Sequence, residues 1–361
     1  MSGSTVDPNQ RTLARGACSN RGSRYDMHHQ NYEDDGWSQP EDAPVLRTSV
    51  HLEEARRIIS YNCSPDLPFD RSINPYRGCE HGCIYCFARP THAWLGLSPG
   101  LDFETRLIAR PNAPECLERE LRAARYRVAP IAIGTNTDPY QPIEQEHEIM
   151  RKCLQVLHRC RHPVAIVTKG TLIERDLDIL APMAAEGLVR VGVSVTTLDP
   201  VLARRMEPRV PTPQRRLATI RALSDAGIAV RIMASPMIPG LSDHELEAIV
   251  SAGAEAGAVA ATYIMLRLPL EVSELFQEWL SQHYPDRAAR VMGHLRDMHG
   301  GKAYSSDWGK RMKGAGQYAD IIGKRYRLIT RRLGLNTDLP ALRCDLFQPP
   351  QRTGDQLTLF S

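Results

Sequence analysis

Residues 77–90, RGCEHGCIYCFARP, place three cysteines within eight positions, Cys79, Cys83 and Cys86, in the spacing C-x3-C-x2-C. The chain has 361 residues and nine cysteines, and the other six are scattered. Scattered thiols are usually single buried or incidental side chains, whereas three thiols so close together indicate a metal site or catalysis. The scattered cysteines are Cys18, Cys63, Cys116, Cys153, Cys160 and Cys344.

The N-terminal sequence and the absence of long apolar runs predict a cytoplasmic protein. The first 22 residues, MSGSTVDPNQRTLARGACSNRG, lack the apolar region of a secretory signal, and no later run is long enough to span a membrane. We therefore expect no membrane partner. Cytoplasmic thiols stay reduced, so the three clustered cysteines are not expected to form disulfides.

The composition is that of a soluble globular protein. Apolar residues make up 42% of the chain, charged residues 24%, and the net charge is +3. These values exclude a membrane protein and a fully disordered chain. The chain is long enough for one large domain with additional segments.

Short apolar runs alternate with amphipathic segments after residue 73. Each run is rich in β-branched residues and reads as a buried parallel strand, and each amphipathic segment reads as a helix. Together with a first strand in RSINPYRG (71–78), the runs give about six βα units. The other five runs are PIAIGT (130–135), PVAIVTKG (163–170), LVRVGVSVTT (188–197), IAVRIMASPMIPG (228–240) and AVAATYIMLRLP (258–269).

This alternation predicts an α/β fold with a parallel sheet, either doubly wound or a full or partial barrel. In each of these architectures, binding and catalysis take place at the C-terminal ends of the strands. The three cysteines follow the first predicted strand, and several polar residues end the later ones. We therefore expect one site at this edge of the sheet.

Two kinds of metal centre compete for the three thiols. Zinc usually takes four ligands in two separated pairs; here the second pair is missing, although His81 or His92 could supply a fourth ligand. A cubane iron–sulfur cluster suits the spacing better, because each thiolate holds a different iron. Three thiolates leave the fourth iron open for a substrate. Chance clustering is the third interpretation.

The motif CEHGCIYC, with an aromatic residue before its last cysteine, resembles the cluster loop of the radical S-adenosylmethionine (SAM) superfamily. The resemblance extends over about residues 73–269. The segments NPYRGCEHGCIYCFAR (74–89) and TNTDPYQPIE (135–144) are similar to the branch that contains spore photoproduct lyase, often described as DNA repair photolyase-like. The resemblance implies a partial (β/α)6 barrel, a [4Fe–4S] cluster, S-adenosyl-L-methionine as cosubstrate, and an electron donor such as a flavodoxin or ferredoxin.

The resemblance also implies roles for individual residues. The cluster would be held by Cys79, Cys83 and Cys86, with the backbone around Tyr85 against the adenine. Thr137 and Asp138 would hold the amino group of the cosubstrate, and Lys169 would pair with its carboxylate. Ser194 would contact the ribose, and Ser235 would lie beside the adenine. Without the resemblance, Asp138 before Pro139 would be read as a turn, Lys169 as a surface cation and Ser194 as a partner of nearby backbone.

One position departs from the lyase pattern. Spore photoproduct lyases carry a cysteine shortly before the Asp-Pro pair, and it returns a hydrogen atom to the product radical. The corresponding residue here is Thr135. A threonine O–H bond is too strong to donate a hydrogen atom to a carbon radical, so the lyase reaction itself is not transferred to this chain.

The segment from Lys302 to Arg332 is strongly basic, with nine Lys or Arg residues against two Asp. It also contains Tyr304, Trp308, Tyr318 and Tyr326. Cations mixed with aromatic side chains suit a nucleic acid, which offers phosphates and bases. A solvated basic helix on the surface is the alternative interpretation.

These observations divide the chain into a disordered leader (1–45), an N-terminal extension (46–72), a radical SAM core (73–270) and a basic, mainly helical C-terminal region (271–361). The expected function is radical chemistry with S-adenosylmethionine on an unidentified substrate, which the basic segment suggests is a nucleic acid. A protein or small-molecule substrate is the second hypothesis. A non-catalytic iron–sulfur or zinc interaction module is the third.

Overall fold

Six parallel strands form the centre of the fold, which confirms the predicted α/β architecture. The computed structural model describes residues 14–26, 45–335 and 339–351. The main sheet has seven strands in the order β10-β9-β8-β7-β6-β3-β2, and only β2 runs antiparallel to its neighbour. These strands are β2 Ile59–Tyr61, β3 Arg71–Ile73, β6 Ile131–Ile133, β7 Val164–Thr168, β8 Val189–Ser194, β9 Ala229–Met237 and β10 Ala260–Met265.

A small second sheet lies beside the first crossover. Its strand order is β1-β5-β4, with β1 Ser49–Leu52 parallel to β5 Arg106–Ala109 and β4 Tyr76–Arg77 antiparallel to it. The predicted first strand, RSINPYRG, is therefore wrong as a single element. It divides at Asn74 and Pro75 between β3 of the main sheet and β4 of the small one, because Pro75 has no N–H to donate to a ladder.

Helices connect the strands and cover the outside of the main sheet. They are α1 Asp102–Thr105, α2 Ala113–Leu121, α3 Glu144–His147, α4 Ile149–Arg159, α5 Leu177–Ala185, α6 Pro200–Met206, α7 Pro213–Asp225, α8 Leu246–Glu255, α9 Glu271–His283, α10 Pro285–Met298 and α11 Gln317–Arg332. Short 3-10 segments occupy Arg89–Leu95, Leu172–Asp176 and Asp243–Glu245. The strands and the inner helix faces share one apolar core, in which β-branched side chains fill both faces of the sheet.

Local sequence signals set several helix boundaries. The side chain of Thr212 accepts a hydrogen bond from Arg215 N at the start of α7, as an N-cap should. Ser242 stands three residues before Glu245, a spacing that predicts a capping box, but this prediction is wrong: Ser242 Oγ instead accepts from Ile238 N at 3.1 Å. Glu245, the other half of that predicted box, accepts from Leu198 N at 2.6 Å, because a tertiary contact competes for its carboxylate.

Part of the predicted leader has defined packing. Residues 14–26 lie against the first crossover, and Ala17, Ser19 and Ser23 are buried. Gly16 N and Ala17 N donate to the two carboxylate oxygens of Glu104, at 2.9 and 2.8 Å. In this part, the structure differs from the prediction of disorder, because a buried carboxylate holds the backbone. The rest of residues 1–45, apart from Val45, lies outside the described residues.

A segment between α10 and α11, residues 302–316, connects the two edges of the open sheet, and we call it the bridging segment. At one edge, Met265 N of β10 donates to Met312 O at 2.9 Å. At the other edge, Arg311 Nε and Gly309 N donate to the carboxylate of Asp66, at 2.6 and 2.8 Å, in the loop between β2 and β3. The bridging segment therefore spans the gap that a partial barrel leaves open.

Candidate active site

A cavity of about 190 Å³ opens at the C-terminal ends of the parallel strands. The cysteine loop forms one wall, and residues after β6, β7, β8, β9 and β10 form the others. The residues that line it are Cys79, His81, Cys83, Tyr85, Cys86, Phe87, Gly134, Thr135, Asn136, Asp138, Val167, Thr168, Lys169, Ser194, Met233, Ser235, Pro236, Ile264, Met265 and Arg267. The cavity therefore contains all three clustered cysteines and most of the predicted cosubstrate residues.

The cysteine loop is shaped by backbone turns. Gly82 N and Cys86 N each donate to the carbonyl oxygen of the preceding cysteine in the loop, at 3.3 and 3.1 Å. Gly82 has a φ of +67°, a conformation that side chains disfavour. A Cβ atom at Gly16 would lie 1.8 Å from the Gly82 carbonyl oxygen, so the leader can approach the loop this closely only with glycine there.

A buried ion pair supports the loop from behind. Arg89 and Glu104 are both fully buried, with 2.5 Å between Arg89 Nη2 and Glu104 Oε1. The same guanidinium donates to the carbonyl oxygens of Gly82 and Cys83, at 3.2 and 3.0 Å. Because Glu104 also accepts from the leader, one carboxylate connects the leader to the cysteine loop. Sequence reasoning missed this pair, because nothing in the sequence marks Glu104, 15 positions later, as the partner of Arg89.

The thiols have the chemistry of a cluster site. Burial raises the pKa of Cys79, Cys83 and Cys86, and the nearby carboxylates of Asp138 and Glu207 raise the pKa of Cys79 and Cys83 further. Thiolate binding to a metal must therefore release protons. Within the described ranges, no three His, Cys, Asp or Glu side chains are grouped tightly enough to hold one ion. Three thiols on one cavity are a donor set that a cubane cluster can use, because each thiolate then binds a separate iron.

Asp138 lies at the cavity wall in a dense set of hydrogen bonds. Its carboxylate accepts from Thr168 Oγ1 at 2.6 Å, from Lys169 N at 2.7 Å and from Tyr140 N at 2.9 Å. His81 Nδ1 lies 3.4 Å from Asp138 Oδ2. Burial alone would raise the pKa of Asp138, but His81 and these donors outweigh burial and hold the pKa at about 2. Asp138 therefore carries a charge at the wall and fixes the backbone of Lys169.

Lys169, Ser194 and Ser235 form a hydrogen-bonded chain across three strand ends. Lys169 Nζ donates to Ser194 Oγ at 2.8 Å, and Ser194 Oγ donates to Ser235 O at 2.7 Å. The Ser235 hydroxyl itself has no hydrogen-bond partner within the described residues, although its oxygen is buried. The structure thus brings these three predicted residues together and leaves one hydroxyl group available for a ligand.

A buried charged network anchors this chain. Glu207 accepts from Arg216 Nη2 at 2.7 Å and from Thr196 Oγ1 at 2.8 Å, and the Tyr85 hydroxyl donates to it as well. Lys169 Nζ lies 4.0 Å from Glu207. Burial would raise the pKa of Glu207, but Arg216 and Lys169 outweigh it and hold the pKa below its ordinary value. The network keeps an ionised carboxylate behind Lys169. Sequence reasoning missed Glu207 and Arg216, which lie between strands.

The structure does not bring the Thr137 side chain into the cavity. Its hydroxyl is buried and donates to Tyr76 O at 3.0 Å, so it ties the end of β6 to β4. Its neighbours Thr135 and Asn136 line the cavity instead. The role of Thr137 at the cosubstrate's amino group stays a prediction, with its hydroxyl group bonded to the Tyr76 carbonyl in this structure. Thr135, the position that departs from the lyase pattern, does lie at the cavity wall.

The basic C-terminal segment is divided by the fold. Arg311 is paired with Asp66 and Arg325 with Glu247, at 2.6 and 2.5 Å. The hydroxyl groups of Tyr318 and Tyr326 donate to Asp243 and Ala261 O. The part of the segment that faces solvent includes Lys302, Trp308, Lys310, Lys313, Lys324, Arg331 and Arg332. Fewer cations of the segment are therefore free than the sequence indicates, and the free ones are divided between the bridging segment and α11.

No helix in the described ranges combines the length and apolar character that a membrane span requires. This observation concerns those residues alone.

Comparisons with known proteins agree with this geometry. Residues 73–252 match the family model described as Radical SAM superfamily. An uncharacterized protein of Mycobacterium tuberculosis is 41% identical over 226 residues. These residues make up 62% of this chain and 66% of the relative, so the match covers just under two thirds of the relative's length. An uncharacterized protein of Methanocaldococcus jannaschii is 27% identical over 214 residues, 59% of this chain and 76% of that one.

Solved structures support the fold. Spore photoproduct lyase complexed with dinucleoside spore photoproduct superimposes with a TM-score of 0.58 at 15% identity, over 81% of this chain and 80% of that one. A variant of the same lyase gives a TM-score of 0.57 at 16% identity over the same shares. At this identity, the likeness establishes the fold alone.

Proposed function

The chain belongs to the radical SAM superfamily through residues 73–252, and from this premise we propose that it is an enzyme that cleaves S-adenosylmethionine reductively and acts on its substrate with the resulting 5′-deoxyadenosyl radical. One observation carries the proposal: three cysteines, of which Cys79 and Cys83 are buried and Cys86 is half-buried, line a cavity at the C-terminal ends of six parallel strands. In such sheets, this edge is where ligands bind.

The residues present fit a [4Fe–4S] cluster. Cys79, Cys83 and Cys86 would each hold one iron, and the buried Arg89–Glu104 pair would keep their loop in place. When bound, the cluster would supply an electron and one iron without a protein ligand, to which the amino and carboxylate groups of the cosubstrate can coordinate. The electron would come from a donor such as a flavodoxin or ferredoxin, and we expect the enzyme to work in the cytoplasm.

The remaining wall of the cavity suits S-adenosylmethionine. Lys169 offers an ammonium group for its carboxylate, and Ser194, hydrogen bonded to that ammonium group, offers a hydroxyl group for the ribose. Asp138 remains the candidate for the cosubstrate's amino group, since its pKa of about 2 keeps it charged. The backbone at Tyr85 and the Ser235 hydroxyl are placed for the adenine. These assignments are proposals, supported by the residues' common position on one cavity.

The proposal also includes the class of substrate. The structurally similar lyase is complexed with a dinucleoside spore photoproduct, and the bridging segment beside the cavity carries exposed lysines and Trp308. Both favour a nucleic-acid substrate. Thr135 at the cavity wall argues against the lyase reaction itself. A protein or small-molecule substrate, and a cluster-binding module without turnover, are the alternatives that the experiments below separate.

Anaerobic reconstitution followed by chromatography tests the proposal. The wild-type protein should hold about four irons and four sulfides per chain and, with dithionite, release 5′-deoxyadenosine from S-adenosylmethionine. Cys83→Ala should lose both properties. Cys63→Ala, at an exposed cysteine, is the matched control and should keep them. Stoichiometric zinc without labile sulfide would contradict the proposal, and a full cluster without 5′-deoxyadenosine would favour the non-catalytic module.

A further inference from the structure

Arg267 is a charged residue of the cavity wall with no acidic partner in the described part of the chain. It follows β10 and lines the cavity. Its guanidinium carbon lies 4.7 Å from the ring centroid of Phe87 and 6.0 Å from that of Tyr304. Its two terminal nitrogens reach only Met312 Sδ and the Tyr304 hydroxyl, both at 3.5 Å. Its Nε is buried and has no hydrogen-bond partner among the described residues.

This arrangement is unusual for an arginine in a half-buried position. A guanidinium has five N–H donors in a planar fork that matches a carboxylate or phosphate. Arg89 and Arg216 at the same site each bind a buried carboxylate, at 2.5 and 2.7 Å. Arg267 instead has one hydrogen bond to a thioether sulfur, which is a weak acceptor, and one to the Tyr304 hydroxyl at the outer limit of hydrogen bonding. Leaving a partly buried charge without an anionic partner costs free energy. The cavity therefore presents a preformed site for an anion.

The position of Arg267 separates this anion from the cosubstrate's carboxylate. Lys169 follows β7, whereas Arg267 follows β10, three strands away in the sheet order. Arg267 also stacks on Phe87, the residue directly after Cys86, so it lies next to the cysteine loop. Lys169 is the residue proposed for the carboxylate of S-adenosylmethionine. This assignment leaves Arg267 for an anionic group of the substrate.

The surroundings of Arg267 favour a phosphate diester. Both Met312 and Tyr304 belong to the bridging segment, whose exposed face carries Lys310 and Trp308, the latter 63% exposed. Exposed cations and aromatic rings along one segment suit a strand that alternates phosphates and bases. We propose that Arg267 binds a backbone phosphate of a nucleic-acid substrate that lies over the bridging segment, an inference that rests on the proposed function and names its substrate class.

The test uses two probes that differ in one substituent on phosphorus, which removes the charge. Thymidylyl-(3′→5′)-thymidine carries one phosphate charge, and its methylphosphonate analogue carries none. Their dissociation constants are measured anaerobically, at low ionic strength, on cluster-reconstituted wild-type protein, Arg267→Gln, Arg267→Lys and the control Lys324→Gln, an exposed lysine of α11. Circular dichroism and iron content establish that each variant is folded and loaded.

We expect wild-type protein to prefer the charged probe, and Arg267→Gln to lose about ten- to hundredfold in affinity for it while binding the neutral probe as wild type does. Arg267→Lys should restore part of the preference, and Lys324→Gln should match wild type.

Three results would each overturn the proposal: an equal loss of affinity for both probes in Arg267→Gln, no preference for the charged probe in wild type, or no binding of either probe. So would a loss of affinity for S-adenosylmethionine as large as that for the dinucleotide, since Arg267 would then hold the cosubstrate. Preference for the charged probe without 5′-deoxyadenosine formation would leave the anion site standing and reject the proposed function alone.

Discussion

Replacement of Lys169 by alanine should separate cosubstrate binding from folding. The Lys169 side chain is 17% exposed and donates one hydrogen bond, to Ser194 Oγ at 2.8 Å. Glu207, 4.0 Å away, keeps Arg216 at 2.7 Å and Thr196 at 2.8 Å when the ammonium group is removed. The variant therefore leaves no buried charge unpaired, and its folding should lose only about 1 kcal/mol, the net value of one hydrogen bond.

Binding should lose more. A hydrogen bond from an ammonium group to a carboxylate is worth about 1.5–3 kcal/mol, so the dissociation constant for S-adenosylmethionine should rise about 10- to 150-fold. Ser194→Ala removes the partner that orients the ammonium group, and its effect should be smaller, about 2- to 10-fold. Lys324→Ala, an exposed lysine of α11, should leave the dissociation constant unchanged.

Anaerobic equilibrium dialysis with labelled S-adenosylmethionine measures these constants, and iron content establishes that each variant is loaded. A Lys169→Ala protein with a full iron content and an affinity within twofold of wild type would refute the reasoning. The carboxylate would then be bound elsewhere in the cavity, and Arg267 would be the next residue to test.

Three further predictions concern other parts of the molecule. Glu104→Gln removes the charge that pairs with Arg89, and both side chains are fully buried. The free energy of unfolding in urea should therefore fall by about 3–5 kcal/mol. A loss below 1 kcal/mol would contradict the view that this ion pair supports the cysteine loop. Burial lowers the pKa of His162 to about 4, whereas in the unfolded chain it is about 6.5. The free energy of unfolding should therefore be unaffected by this group above pH 6.5 and should fall by about 3 kcal/mol as the pH drops from 6.5 to 4. Urea unfolding at each pH should show a smaller decrease for His162→Phe, and an equal decrease would contradict this assignment. Changing Lys310 and Lys313 to glutamine should flatten the salt dependence of binding to single-stranded DNA by up to about two units; an unchanged slope would leave the segment as a solvated surface.

The sequence predicts the fold well because its signals are local. Five of the six parallel strands lie within the apolar runs, β3 lies at the start of RSINPYRG, and the helices follow the amphipathic segments between them. Since parallel strands all end at one edge, knowing the strands also predicts that Lys169, Ser194 and Ser235 meet. The structure brings these three together in one chain of hydrogen bonds.

The parts that sequence reasoning missed depend on contacts between distant residues. Glu104 accepts from Gly16 and Ala17, 88 and 87 positions earlier, and no local pattern marks a carboxylate that will be buried by the leader. The contact of the Thr137 side chain also depends on a distant residue. The sequence pattern around Thr137 does not show whether its hydroxyl group faces the cavity or bonds to the backbone of Tyr76. Pairing also decides how much of the basic segment is free, and Asp66, which neutralises Arg311, lies 245 positions away.

The cavity wall constrains how a reaction in it can end. Its only thiols among the described residues are Cys79, Cys83 and Cys86, which the cluster would occupy, and Thr135 has replaced the cysteine of the lyase pattern. A product radical formed here has no free thiol on the wall from which to take a hydrogen atom. The Tyr85 hydroxyl is no substitute, because it is buried and donates to Glu207. Under the proposed function, the reaction would therefore end by return of hydrogen from 5′-deoxyadenosine, by transfer from a group outside this wall, or by loss of an electron to an acceptor. Deuterium at the abstracted position separates the first route from the other two. It enters the methyl group of 5′-deoxyadenosine, which supplies either hydrogen or deuterium in the first route, so deuterium should be divided between the product and S-adenosylmethionine. In the other two routes it should all remain in 5′-deoxyadenosine.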